Sequence, residues 1–113
     1  TYADRREPLI AFAGQMTGVE GYVESCASGY LAAVSMAARL NGAPVPDFTN
    51  RTAIGALGKY ISDPSVTAFQ PMNVNFGITA PLEQRVKGKS NKNLAIAERA
   101  LAQLEAMRNE GLA

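Results

Sequence analysis

Residues 14–22, Gly14-Gln15-Met16-Thr17-Gly18-Val19-Glu20-Gly21-Tyr22, put three glycines among amide, hydroxyl and carboxylate side chains, where an apolar run over residues 9–13 gives way to a helical pattern. The order predicts a strand, a glycine loop and a helix start. Such a junction aims backbone N–H groups and the positive end of a helix dipole at one place, where a phosphate or an electron-rich ring can sit. A plain capped turn fits the same residues. Thr17 and Glu20 have the spacing of a capping box, with Thr17 accepting from the N–H three residues on and Glu20 reaching back to the Thr17 N–H. On this reading Gly18 and Gly21 fall in the first helical turn, where each costs roughly 1 kcal/mol against alanine. That cost argues for the close approach of another group.

Other residues carry chemistry less specifically. Cys26 is the single cysteine, and the chain has no histidine to activate it. Its helical, Ala- and Ser-rich surroundings predict a buried, inert thiol. Asn73 and Asn75 share the polar side of an alternating stretch, where they can bind RNA, folate or flavin, or satisfy local backbone. Arg51 and Lys59, with Arg85, Lys87 and Lys89, can neutralise phosphates and confer salt-dependent affinity for nucleic acid, or simply solvate a flexible loop.

The elements that must position these residues are mainly helical. Residues 22–40 hold only Glu24 and Arg39 as charges, so this helix is apolar nearly all round and needs burial on more than one face. Asn41-Gly42 stops it and the Pro-rich residues 43–47 form a connector, giving units 1–42 and 43–113. A second helix is expected from Asn50 or Thr52 to Ile61, ended by Asp63-Pro64, with Gly55 and Gly58 in it for tight packing. Met72, Val74, Phe76 and Ile78 alternate as in a half-buried strand. A last helix over about residues 91–109 repeats Leu94, Ala97, Leu101 and Leu104. The expectation is a mainly α fold with one or two short β-strands.

Composition narrows the function classes. Eleven Lys+Arg against ten Asp+Glu over 113 residues exclude a strongly basic nucleic-acid protein while allowing a local patch. One cysteine and no histidine leave no disulfide and no Cys/His metal cluster. No apolar run approaches the ~20 residues of a membrane span. A cytoplasmic protein is expected.

The string GQMTGVEGYVESCASG, followed by TAIGAL and then QPMNVNFG, resembles the C-terminal portion of the folate-dependent, FAD-containing tRNA uracil methyltransferases, relatives of the glucose-inhibited division protein A group. The likeness runs from about Leu9 to the last helix. The branch that installs carboxymethylaminomethyl groups on tRNA uridine shares the Gly-Gln-x-x-Gly loop, but would not be expected to carry residues 70–77. The resemblance implies an α/β Rossmann-like enzyme that reduces FAD with NADH or NADPH, takes a methylene group from methylenetetrahydrofolate and delivers methyl to a uridine of the tRNA T-loop. It implies that residues 14–22 form the FAD loop, with Gln15 and Thr17 bonding to the ribityl chain or ring edge. Neither the family's GxGxxG unit nor its upstream cysteines occur here, so the chain is expected to be a C-terminal fragment, inactive alone and lacking an N-terminal part. The other class is a non-catalytic interaction module that docks or dimerises through the helix over residues 22–40.

Overall fold

The structure, a computed structural model, describes residues 2–111. Within them lie three α-helices, α1 (Tyr22–Leu40), α2 (Ala53–Ser62) and α3 (Lys89–Asn109), and two 3-10 turns, Gly14–Thr17 and Phe76–Ile78. Helix α1 has the bounds its composition predicts, and Asn41 closes it by donating its backbone N–H to Ala37. Helix α2 starts where Thr52 accepts from the Gly55 N–H at 3.0 Å, and the same hydroxyl donates to the Phe48 carbonyl at 2.8 Å. Thr52 is 1% exposed, so this cap satisfies a buried polar group as well as a helix end.

The expected strands are reduced to two isolated bridges, Ala3 with Ala11 (antiparallel) and Val19 with Met72 (parallel). Residues 71–78 alternate in sequence, yet among the described residues no neighbouring strand runs beside them. Without a ladder the chain turns into 3-10 geometry at Phe76, where the Asn75 side chain accepts from the Gly77 N–H at 2.8 Å. The mainly helical architecture stands.

Tyr2, Val19, Leu31, Ala32, Phe48, Leu57 and Met107 form one buried cluster, drawn from both sides of the connector. Each buried aliphatic side chain in it contributes about 1.5–3 kcal/mol. Gly55 and Gly58 serve packing, as expected. A Cβ at Gly55 would overlap the Thr49 and Phe48 carbonyl oxygens, and one at Gly58 would sit 3.2 Å from Leu31 Cδ2.

Helix α3 departs from its expected stripe. Leu94 and Leu101 are 58% and 66% exposed, while Ile96 and Met107 are buried. The Arg99 guanidinium explains this orientation, because it donates to the Ala80 and Pro81 carbonyls at 2.6 and 2.8 Å and so turns the Ile96 side toward residues 80–86. Helix α1 is likewise only partly covered. Leu31 and Ala32 are buried, while Val23 is 79% and Tyr30 49% exposed.

Candidate functional site

The glycine loop folds differently from the expected capped turn. Gly14, Gly18 and Gly21 have φ of 74°, 94° and 92°, a left-handed region in which a helix of L residues does not propagate. Helix α1 therefore begins at Tyr22, one turn later than the Thr17/Glu20 spacing suggests. The Thr17 hydroxyl donates to the Gly14 carbonyl at 2.7 Å and closes the 3-10 turn. The Glu20 N–H donates to the Met72 carbonyl at 2.9 Å, and the Met72 N–H to the Gly18 carbonyl at 3.1 Å. The capping box is thus overturned, because the Glu20 N–H that the Thr17 hydroxyl would accept donates to Met72, and that hydroxyl donates to Gly14 instead.

Two close approaches account for the glycines. The Phe69 ring fills the space a Cβ would need at Gly18, and the Glu24 and Asn73 side chains fill it at Gly21. Phe69 in turn stacks on Tyr60, with centroids 5.6 Å apart. The Gly14 N–H is held by the buried Ser28 hydroxyl at 2.7 Å, fixing the loop to the second turn of α1. Val19 is 0% exposed and packs in the core, so its side chain has no access to a ligand.

What remains open is the start of α1. Gly21 is its N-cap and no side chain caps it, so the first-turn amides at residues 22–24 lack an intrahelical acceptor. Tyr22 is 97% exposed beside them, and Gln15, Met16 and Glu20 are exposed next to the turn. This arrangement offers N–H donors, a helix dipole and uncovered apolar surface to an electron-rich ring or an anion. Gln15 stands exposed beside the loop, while Thr17 shapes the turn.

The residues assigned to RNA divide into two sets. Arg51 is ion-paired with Glu83, and Lys59 lies 3.6 Å from Asp47. Asn73 donates to Glu24 at 3.4 Å, and Asn75 holds the Gly77 N–H, so both asparagines serve local structure. Arg85, Lys87 and Lys89 are exposed, and none is in an ion pair among the described residues. Lys92 joins them, a fourth cation on the first turn of α3 that the same run of basic residues announces.

Cys26 is exposed, which corrects the expected buried thiol: it lies on a side of α1 that the other described residues leave uncovered. Among the described residues no cluster of His, Cys, Asp and Glu is arranged for a metal, and no helix is long and apolar enough to cross a membrane. Burial pushes the Tyr2 phenol up, and the Ser65 hydroxyl and backbone N–H hold the Asp63 carboxyl below its ordinary value.

Comparison with known proteins gives a consistent picture. Residues 1–44 match the family described as Glucose inhibited division protein A. The chain is 53% identical over 110 residues to the Methylenetetrahydrofolate--tRNA-(uracil-5-)-methyltransferase TrmFO of Streptococcus agalactiae, covering 96% of this chain and 25% of that protein. Proteins of the same name from Lactiplantibacillus plantarum and Desulfitobacterium hafniense are each 47% identical, over 99% and 92% of the chain. The chain spans about a quarter of the length of these relatives. The chain is thus similar over nearly its whole length to about a quarter of proteins named TrmFO, and over residues 1–44 to the glucose inhibited division protein A family.

Proposed function

We propose that this chain is the flavin-facing end, and part of the RNA-facing surface, of a tRNA uracil methyltransferase that uses methylenetetrahydrofolate. The observation that carries this reading is the 53% identity, over 96% of the chain, to a relative named for that reaction. The uncapped start of α1 supports it as the place where FAD is held. Bound FAD, reduced by NADH or NADPH, supplies the electrons that convert a methylene carbon to methyl. The chain's own part is electrostatic. The amides at residues 22–24 and the α1 dipole favour negative charge on an adjoining ring, and the Gln15 amide adds a hydrogen-bonding group. Glycine at position 21 leaves room for the Glu24 and Asn73 side chains that lie against it at the helix start.

The substrate on this reading is a T-loop uridine of tRNA, met partly by Arg85, Lys87 and Lys89. The dinucleotide-binding Rossmann-like unit and the catalytic cysteines belong to an N-terminal part, the protein is cytoplasmic, and the 113-residue chain alone has no activity. Leu9, Ile10, Met16, Tyr22 and Val23, all at least half exposed, favour a second role in the same protein, docking against its other parts or a second copy.

The test uses the protein expressed from its complete reading frame. Flavin absorbance, together with transfer of labelled carbon from methylenetetrahydrofolate to tRNA uridine in the presence of NADH or NADPH, is the expected result. A colourless protein that transfers nothing would contradict the proposal.

A further inference from the structure

Resting on the tRNA reading, we propose that the cleft between residues 76–86 and α3 is a pocket for one unpaired nucleotide of the RNA substrate. The cleft has a volume of about 490 Å3, within the range of small-ligand sites. Its lining joins the groups such a nucleotide needs. Phe76, 45% exposed, offers a ring face for a base, the Gln84 amide offers a donor and an acceptor for a base edge, and Arg85 and Lys92 offer positive charge for the phosphate. No acidic residue lines it.

Three further observations favour an anionic occupant. Residues 84–97 contain four cations and no acid. None of those cations is ion-paired among the described residues, whereas Arg51 and Lys59 are. Gly88 is the N-cap of α3, with no side-chain cap and no acid in the first turn, while Lys89 and Lys92 stand there. Cations at a helix start are disfavoured by the dipole, so a bound anion relieves a repulsion built into the fold. The loop is also held in shape. Arg99 grips the Ala80 and Pro81 carbonyls, and the Ala80 N–H donates to the Asn50 carbonyl at 2.8 Å. An unpaired nucleotide suits the cleft better than duplex backbone, because Leu82, Val86 and Ile96 make part of its wall apolar and a paired base has no free face to stack there.

The experiment measures binding of a fluorescent RNA hairpin with an unpaired loop, and of a fully paired RNA duplex, to the protein from its complete reading frame. Phe76→Ala is expected to weaken hairpin binding about tenfold and leave duplex binding unchanged, with Phe76→Tyr close to wild type. Arg85→Ala with Lys92→Ala, which disturbs no packed ring, is expected to lower the salt slope for the hairpin by about 1.4, at about 0.7 per phosphate contact. Hairpin affinity and slope unchanged in these variants would overturn the pocket, as would an equal loss on duplex, or an acidic peptide that competes as well as the hairpin. The two proposals fail separately. Methyl transfer to tRNA with no dependence of hairpin binding on Phe76 removes the pocket and keeps the enzyme. Binding that depends on Phe76, in a protein that transfers no methyl group, does the reverse.

Discussion

Gly18 and Gly21 before α1 have the same spacing as Gly55 and Gly58 inside α2, and the two pairs do opposite things. The first pair sits at φ of 94° and 92°, breaks the helix and leaves its start uncapped. The second pair is helical and buried, and lets the chain close on itself where a side chain would strike the Thr49 and Phe48 carbonyls or crowd Leu31. Two glycines three apart therefore say little by themselves. The backbone region they occupy decides whether they turn the chain ahead of a helix or seal a core within one.

Gly55 should be the most costly of these glycines to disturb. Gly55→Ala is expected to lower stability by about 3 kcal/mol in chemical denaturation, because carbonyl oxygens of a capped turn cannot move aside as a side chain can. Gly58→Ala should cost about 1 kcal/mol, since the Leu31 methyl can yield a few tenths of an ångström. Equal effects at the two positions would show that helix propensity, and not contact, governs this pair. Gly18→Val is expected to cost about 1–2 kcal/mol for a β-branched residue in the left-handed region, with the Phe69 ring displaced. Unchanged stability there would break the contrast from the other side.

The helices were legible in the sequence because their ends are written in local chemistry. Thr52 caps α2, Asp63-Pro64 stops it, and Asn41-Gly42 stops α1, each within one or two residues. The turn before α1 was not legible, since Thr17 and Glu20 have a valid capping spacing that two left-handed glycines cancel, although the charge pattern of residues 22–40 marks the helix itself from Tyr22. Residues 71–78 carry the period of a strand, but a strand needs a partner that local sequence does not reveal. Cys26 and Leu101 look apolar and internal by periodicity, and are exposed because the chain has too little of its own surface to cover α1 and α3 on every side. For the RNA candidates, residue type could not separate Arg51, neutralised by Glu83 from 32 residues away, from Arg85, which has no such partner.

That split gives a further test. Charge reversal at Arg85, Lys87 and Lys89 together should flatten the salt dependence of tRNA binding by about two units, at about 0.7 per phosphate contact. Reversal at Lys59, already beside Asp47, should change it little. Equal slopes for the two variants would make the basic run a merely solvated loop.

The smallest expected effect lies in the core. The Tyr2 hydroxyl is buried without a hydrogen-bond partner, so Tyr2→Phe should be neutral or stabilise by up to about 1 kcal/mol. Burial raises the folded-state pKa of this phenol above its ordinary 10.0. Its protonated form therefore supports the fold fully below that value, and the support is lost as pH rises through the higher folded value. Thermal melts should show an alkaline loss of stability in the wild type that Tyr2→Phe lacks.

The contrast between an open and a sealed glycine pair is tested most directly by flavin content in the protein from its complete reading frame, compared between wild type and Gly21→Val. The account predicts a yellow wild type that retains flavin through gel filtration, and a colourless Gly21→Val with the same helical circular dichroism. A wild type without flavin, or a Gly21→Val that keeps it in full, would contradict the assignment of the α1 start as the place where the cofactor is held.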